Sequence, residues 1–161
     1  SGSLEISGTR INNLDEMHLS EIRNRDIGFV FQFHHLLPEF SALENALVPA
    51  WISGNQEKKN DALILFETMG LLDRVDHLPS QLSGGERSRV AVIRALMNQP
   101  KILLADEPTG NLDEKNAIKL IDLLGKINRD FNQSIVLTTH NPDVAAFGHK
   151  QFKLENGFLY E

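Results

Sequence analysis

The chain has 161 residues, which is enough for one domain with its own core and too few for two ordinary domains. It carries 22 acidic and 16 basic side chains, and the resulting net charge of −6 argues against binding to the phosphate backbone of DNA or RNA. The sequence contains no cysteine, which excludes disulfides, thiolate metal sites and cysteine nucleophiles. No apolar run approaches the roughly 20 residues that span a bilayer, and the N-terminus has no secretory-signal pattern. These features predict a soluble cytoplasmic domain.

The N-terminal half predicts, in chain order, a short hairpin, a surface helix, a strand and two further helices. Their expected bounds are residues 3–11, 17–25, 27–31, 41–51 and 56–69. The strand is a continuous apolar run, which is typical of a strand buried on both faces of a sheet. Ser41 and Glu44 form the capping-box pattern that opens the fourth element, and Gly70 suits the C-terminal cap of the fifth.

The C-terminal half alternates helices with two more apolar strands and ends in a hairpin. After an irregular stretch over 71–82, the expected bounds are 85–98, 101–106, 116–131, 134–138 and 149–160. The helix over 116–131 has core spacing at Ile118, Ile121, Leu124 and Ile127. Asn141 and Pro142 suit the cap and first position of a short helix. Because strands alternate with helices, we expect an α/β fold with a largely parallel sheet.

Polar side chains follow each of the three apolar strands. Gln32 follows the first, Asp106 and Glu107 end the second, and His140 follows the third. In open α/β sheets, ligands bind beyond the carboxyl ends of the strands, so these groups can converge on one site. Each residue alone is more simply a solvated strand exit, and only the ordered set indicates a site.

A Ser-Gly-Gly turn at residues 83–85, followed by Glu86, opens the helix expected over 85–98. Two glycines allow backbone N–H groups to approach a phosphate closely, and the helix presents its positive N-terminal end to an anion. Alone, the turn would be an ordinary helix start.

Together, residues 82–87 and 102–108 resemble the signature and Walker B motifs of ABC-type ATPases, and the resemblance covers essentially the whole chain. Within that family, residues 31–45 are similar to the lipoprotein-release, LolD-type ATPases. Residues 105–113 fit a wider group that includes macrolide-export and cell-division ATPases. The resemblance implies a P-loop NTPase-like ABC nucleotide-binding domain with a mostly parallel sheet. Its catalytic α/β core would comprise 1–40 and 99–161, and its helical signature subdomain 41–98.

The resemblance also implies roles for the residues at the strand ends, with ATP and Mg²⁺ as cofactors. Asp106 would bind Mg²⁺ through water, since Mg²⁺ prefers to keep its waters, and Glu107 would act as the general base. His140 would donate a hydrogen bond to the γ-phosphate. Gln32 would reach the metal or the attacking water, on the loop that senses a membrane partner.

The same resemblance predicts a head-to-tail pair of nucleotide-binding subunits. Ser83, Gly84, Gly85 and Glu86 would contact ATP held by the opposite subunit, with Glu86 standing where many relatives have glutamine. Asn111 and Asp113 would lie on the loop that crosses this interface. The expected partners are integral membrane permease subunits and no nucleic acid, and the expected location is the cytoplasmic face of the inner membrane.

His34 and His35 suggest a metal site only superficially, because adjacent side chains point in different directions and no third ligand is suitably spaced. We expect both to be exposed loop residues near a contact with the membrane subunit. Arg87 and Arg89 are expected to be solvated or structural.

A phosphate-binding loop of the form G-x-x-x-x-G-K-[ST] does not occur in these residues. The Gly125-Lys126 pair is followed by Ile127 and lies within a helical pattern. The family places this loop, and an interior strand before it, upstream of the segment that begins here at Ser1. We therefore expect the 161-residue chain alone to be inactive and unstable as a compact monomer, prone to strand swapping or aggregation, or else to be part of a longer polypeptide.

Two alternatives to a transporter subunit remain open. Several ABC-type ATPases of DNA repair and chromosome maintenance carry the same sequence as residues 82–86, but they insert long coiled coils or zinc modules between the Gln loop and that motif. Here about 50 residues separate Gln32 from Ser83, without sustained heptads or cysteines. A non-catalytic regulatory fragment would fit the missing loop but not the intact Asp106, Glu107 and His140. The cargo, best assigned as lipoproteins, is specified mainly by membrane and periplasmic subunits.

Overall fold

The computed structural model describes residues 2–161, so Ser1, the first residue of the predicted core segment, lies outside it. The helices are α1 Glu16–Asp26, α2 Ala42–Ile52, α3 Lys59–Thr68, α4 Gly84–Leu96, α5 Glu114–Phe131 and α6 Pro142–Ala145. The strands are β1 Glu5–Ile6, β2 Thr9–Arg10, β3 Ile27–Phe31, β4 Ile102–Asp106, β5 Ser134–Thr138, β6 Lys153–Glu155 and β7 Phe158–Tyr160. Single 3₁₀ turns at Leu72–Arg74 and Pro79–Gln81 lie in the stretch predicted to be irregular. The α/β class is confirmed.

The central sheet consists of β3, β4 and β5, all parallel and in that order. Its register places Phe31 beside Asp106, and Asp106 beside Thr138, so the three strands end level with one another. The polar residues that follow these strands therefore emerge along one edge, as the alternation of strands and helices predicts.

Only one face of this sheet is covered among the described residues. Val30, Leu103 and Ala105 on that face are almost completely buried, whereas Phe29 and Val136 on the other face are 38% and 51% exposed. The prediction of strands buried on both faces is therefore wrong for β3 and β5. An apolar run indicates that the side chains are apolar, but it does not show which faces of the strand are covered. In this structure the helices pack against one face of the sheet.

The covered face and the helices share one hydrophobic core. Val30 and Leu103 from the sheet pack in the same cluster as Ala46 of α2, Phe66 of α3 and Ile93 of α4. Helix α4 lies directly against β3, where a side chain cannot be accommodated: a Cβ atom at Gly28 would lie 2.4 Å from the carbonyl oxygen of Ala95. This close contact fixes α4, and with it the turn at residues 83–85, relative to the sheet.

Helix α5 differs from its prediction in two respects. It begins at Glu114 rather than residue 116, because the Asp113 side chain caps it by accepting a hydrogen bond from the Asn116 backbone N–H at 2.8 Å. Ile118, expected in the core, is 50% exposed, while Ile121, Leu124 and Ile127 are buried as predicted. The buried stripe therefore starts one turn later than the spacing suggested.

The predicted hairpins are confirmed as two-stranded antiparallel pairs, β1 with β2 and β6 with β7. Asn141 caps α6, with Pro142 at its first position, as expected. Each helix within residues 2–161 is either too short or too polar to span a bilayer.

Candidate active site

The carboxyl edge of the sheet holds Asp106 in a defined orientation. Thr138, its register partner on β5, donates a hydrogen bond from Oγ1 to Asp106 Oδ1 at 2.6 Å. Both residues are exposed, and the bond leaves the second carboxylate oxygen of Asp106 free of protein donors among the described residues. The arrangement fixes one oxygen and presents the other to an incoming ligand.

Glu107 and His140 meet at the same edge. The Nε2 atom of His140 lies 3.5 Å from Glu107 Oε1, and the His140 side chain is 99% exposed against 24% for Glu107. Glu107 adopts a left-handed backbone, with φ of +44°, and its N–H donates to the Thr138 carbonyl at 3.1 Å. Such a conformation is uncommon for a residue other than glycine, and here it turns the Glu107 side chain toward His140 as β4 ends.

Gln32 also reaches this edge. A Cβ atom at Gly110 would lie 2.6 Å from Gln32 Nε2, so the Gln32 side chain lies directly against that glycine. Asn111 donates from Nδ2 to the Gln32 carbonyl at 3.0 Å. The loop after β4 therefore secures Gln32 beside the residues that follow the other two strands.

Ser83 begins α4 with a reciprocal capping box. Its Oγ accepts from the Glu86 N–H at 3.3 Å, while its own N–H donates to Glu86 Oε2 at 2.7 Å. The hydrogen bonds from Ser83, followed by the contact with Arg74, lower the pKa of Glu86 to about 2. Glu86 is therefore a carboxylate at any physiological pH.

The loop of residues 110–113 lies against this turn. Leu112 Cδ2 is 3.7 Å from the Cβ position of Gly84, and Asn116 Oδ1 is 2.7 Å from that of Gly85. Asn116 is held in turn by Asp113, to which it donates from Nδ2 at 2.8 Å. Gly85 is therefore required by close packing. The structure thus joins the two predicted sets of site residues through a single loop.

His34 is buried, with 8% exposure, so the prediction that both histidines are exposed is wrong for this residue. Its Nε2 atom lies 2.6 Å from Ser88 Oγ, and Arg94 donates to the carbonyls of His34 and His35, each at 2.6 Å. His35 is exposed as predicted. These contacts attach the segment that follows Gln32 to α4.

The residues at the sheet edge fit a Mg²⁺ ion that also binds phosphate. Mg²⁺ in such sites takes one or two carboxylates together with waters and phosphate oxygens. Asp106 is exposed, and Gln32 directly follows Phe31, the register partner of Asp106 on the neighbouring strand. No cluster of three or more histidine, aspartate or glutamate side chains suitable for a metal occurs among residues 2–161.

A separate cavity of about 590 Å³ lies between α3 and the C-terminal ends of α4 and α5. Lys101 and Gln133, which directly precede β4 and β5, contribute to its lining. It is therefore at the amino end of the sheet, away from the candidate active site.

Sequence reasoning missed Thr138, Asn116, Ser88 and two arginines, Arg74 and Arg94. Thr138 could have been found by aligning the ends of the predicted strands, because the register makes it the neighbour of Asp106. The contacts of Arg74 and Arg94 join segments that are distant in the chain, and no local pattern signals them.

Comparison with known proteins places this geometry in a family. The family profile described as ABC transporter matches residues 1–110. The lipoprotein-releasing system ATP-binding protein LolD of Shewanella sp. (strain MR-7) is 45% identical over 98% of this chain and 69% of its own length. The corresponding protein of Bordetella pertussis (strain Tohama I) is 45% identical over 99% of this chain and 70% of its own length.

Solved structures give the same result. The dimeric, post-hydrolysis structure of the ATP-binding cassette MJ0796 bound to ADP and Pi has a TM-score of 0.84 and 38% identity, covering 98% of this chain and 70% of that one. A second dimeric structure of MJ0796, described as a bacterial ABC transporter cassette, has a TM-score of 0.84 and 39% identity over the same shares. The chain therefore belongs to the ABC transporter family, as an ATP-binding ATPase subunit of the LolD type.

Proposed function

We propose that this chain supplies the energy for releasing lipoproteins from the inner membrane, as the ATP-hydrolysing subunit of a lipoprotein-releasing transporter. The observation that carries the proposal is the convergence of Gln32, Asp106, Glu107 and His140 at one edge of the sheet. The names of the relatives support lipoproteins as the cargo. They do not favour the alternative of a DNA-repair ATPase.

In this proposal Asp106, through the carboxylate oxygen that Thr138 does not contact, and Gln32 would hold Mg²⁺. When bound, the ion would neutralise negative charge on the phosphates. Thr138 keeps Asp106 in place through its hydrogen bond. Because strand register sets the position of Asp106, its carboxylate needs no rearrangement before the nucleotide binds.

Glu107 acts as the general base, accepting a proton from the attacking water at its carboxylate. His140 Nε2, 3.5 Å from Glu107 Oε1, is placed to donate a hydrogen bond to the γ-phosphate as the water attacks. Glu107 directly follows β4, and His140 lies two residues after β5. The sheet therefore fixes the backbone position of both residues.

The turn at Ser83, Gly84 and Gly85 serves ATP held by a second subunit in a head-to-tail pair. The N-terminal end of α4 attracts an anion, and the half-buried Gly84 can present its backbone N–H to it, whereas Gly85 is buried against Asn116. Asn111 and Asp113 lie on the adjoining loop. The dimeric state of the similar MJ0796 cassette supports this pairing.

The remaining partners are integral membrane subunits, and the proposed location is the cytoplasmic face of the inner membrane. The 41–98 segment, with the loop that follows Gln32, would form the helical subdomain that meets them. Connections from α4 to that loop, through His34 and Arg94, provide a physical route between the nucleotide and such a partner.

Testing these roles requires a phosphate-binding loop. We define the extended chain as residues 1–161 joined to the parts of the Shewanella relative that lie outside the matched region, which covers 69% of that protein. Glu107→Gln in the extended chain should reduce ATP hydrolysis by at least about 100-fold, while ATP stays bound in a stable dimer. Glu114→Gln, on the exposed first turn of α5, is the matched control. Undiminished hydrolysis in the Glu107 variant would show that another residue is the base.

The cargo is tested with the membrane subunits of the relative. The extended chain and these subunits would be reconstituted in vesicles that contain a radiolabelled lipoprotein. ATP-dependent transfer of the label to the soluble fraction supports the proposal, and the Glu107→Gln variant should abolish it. ATP hydrolysis without any transfer would retain the enzyme and reject this cargo.

A further inference from the structure

Arg74 contacts the turn at the start of α4, although it lies in a different segment and has no part in the roles given above. It ends the 3₁₀ turn Leu72–Arg74, and its Nε atom donates to Glu86 Oε1 at 3.0 Å. The other oxygen of the same carboxylate accepts from the Ser83 N–H at 2.7 Å. Each oxygen of Glu86 therefore has its own donor.

Glu86 creates an electrostatic problem at this position. A negative charge in the first turn of α4 stabilises the helix, but it also repels any phosphate that approaches the same helix end. The Ser83 hydrogen bonds hold Glu86 in its charged form, so the carboxylate would stay ionised even without Arg74. Glutamine at this position would avoid the conflict.

Arg74 is held where it can offset this charge, and it also pairs with Asp73, which is more exposed to solvent than Glu86. Its backbone N–H donates to the Leu71 carbonyl, and its carbonyl accepts from the His77 N–H. Its side chain is 36% exposed and that of Glu86 20% exposed, so solvent screens the pair only partly. Within residues 2–161, no other basic side chain forms an ion pair with Glu86.

We propose that Arg74 is a positioning residue that neutralises Glu86, so that the phosphates of ATP bound to a second subunit can approach the Ser83 turn. The inference rests on the proposed function, because it needs that turn to meet a nucleotide. It adds a residue outside the signature motif and explains how this chain uses glutamate where glutamine would be electrically simpler.

A purely structural role for the pair makes a different prediction from charge neutralisation. If Arg74 only stabilised the fold, removing either partner would destabilise the subunit, and removing both would not restore ATP-dependent dimerisation. If Arg74 offsets charge, ATP-dependent pairing should follow the net charge of the two positions. Glutamine at position 86 can still accept from Ser83 N–H, so the cap is preserved in that variant.

The experiment measures ATP-dependent dimerisation of the extended chain by sedimentation, with Glu107→Gln present throughout to prevent hydrolysis. Arg74→Ala should weaken dimerisation by about tenfold, since a like charge is left unpaired at an interface. Glu86→Gln should strengthen it by about threefold, because the carboxylate that repels phosphate is removed while Arg74 keeps its charge and its exposed partner Asp73. The Arg74→Ala/Glu86→Gln double variant should return to within about twofold of the parent.

Two further variants serve as controls for this interpretation. Arg74→Lys keeps the charge and should dimerise nearly as well as the parent. Lys58→Ala breaks another partly exposed pair, with Asp61 at 2.6 Å on α3, and controls for general loss of an ion pair. Raising the salt concentration should shrink the difference between Arg74→Ala and the parent, because the effect is electrostatic.

The outcomes separate the two proposals. Dimerisation of the parent that does not depend on ATP would reject the proposed function itself. ATP-dependent dimerisation that is unchanged by Arg74→Ala, or a double variant as weak as Arg74→Ala, would overturn the role of Arg74 alone. Strongest dimerisation in Glu86→Gln, weaker dimerisation in the parent and the double variant, and the weakest in Arg74→Ala would establish that role.

Discussion

His34 Nε2 lies 2.6 Å from Ser88 Oγ, and Ser88 Oγ also donates to the Gly84 carbonyl at 3.0 Å. A hydroxyl has one proton, so Ser88 can satisfy both contacts only if His34 donates from Nε2. The chain of hydrogen bonds therefore runs from the loop after Gln32, through α4, to the first glycine of the Ser83 turn. It connects the two predicted groups of site residues within one subunit.

Because His34 is buried, we expect the free energy of unfolding to fall in mild acid. Burial, followed by the nearby Arg87, lowers the pKa of His34 below its ordinary value of 6.5. Between the lowered folded value and 6.5 the unfolded chain binds more protons, so stability is fully present above pH 6.5 and is lost as the pH falls below it. Urea unfolding of the extended chain between pH 7.5 and 5 measures this decline.

His34→Gln should flatten that pH dependence, because glutamine can donate to Ser88 without titrating. His149→Gln, on an exposed ring, is the control and should retain the parent's decline. An equal decline in the parent and in His34→Gln would show that other groups cause the acid sensitivity.

Asn45 organises the loop before α2. It is completely buried, accepts from the Leu37 N–H, and donates from Nδ2 to the carbonyls of Leu37, Phe40 and Ser41. Asn45→Ala should lower the free energy of unfolding by about 2–4 kcal/mol, because it leaves these buried groups without their partner. Urea denaturation provides the measurement, with the exposed Asn60→Ala as a control that should change stability by less than about 0.5 kcal/mol.

Gly28→Ala should destabilise the fold, because the added methyl group would lie 2.4 Å from a backbone oxygen that cannot move independently of α4. Overpacking of this kind costs about 1–3 kcal/mol. Gly125→Ala provides a control of opposite sign. Its methyl group would meet only the flexible Arg129 side chain at 3.3 Å, and alanine in a helix is favoured over glycine by about 0.5–1 kcal/mol. Thermal unfolding of the two variants should shift in opposite directions.

Thr138→Val should impair the use of Mg²⁺ rather than the fold. It removes the hydroxyl that orients Asp106 while keeping the shape of the side chain. The Mg²⁺ concentration for half-maximal ATP hydrolysis by the extended chain should rise by about tenfold. Removing a residue that hydrogen-bonds a metal ligand typically weakens metal binding by about this factor or more. Thr138→Ser keeps the hydroxyl and should remain close to the parent. An unchanged Mg²⁺ requirement in Thr138→Val would show that the Thr138 hydroxyl is not needed to orient Asp106.

The residues at the strand ends could be anticipated because they depend on local signals. An apolar run followed by a polar residue locates the end of a strand, and parallel pairing places such ends together. The Ser41 capping box and the helix start at the Ser-Gly-Gly turn are short sequence patterns, and the structure shows a complete capping box at both Ser41 and Ser83. These features require no knowledge of distant contacts.

The features that sequence reasoning missed depend on contacts between distant segments. His34 is buried because Arg94 and Ser88 of α4 hold its loop, an arrangement that hydropathy does not encode. Arg74 likewise reaches Glu86 from a separate turn. Ile118 has helical spacing suited to the core, yet its exposure depends on which elements lie opposite the first turns of α5. Pattern gives the face of a helix, while the surroundings decide how far along it burial extends.

The register of β4 has a consequence for how reliably Asp106 is placed. Leu103 and Ala105 point into the core, with 0% and 2% exposure, and strict alternation then directs Asp106 to the opposite face beside Thr138. A slip by one residue would bring Leu103 out of the core and turn the carboxylate inward. Misplacing this carboxylate is thus as costly as expelling core side chains, so fluctuations that leave the fold intact cannot shift it along the strand.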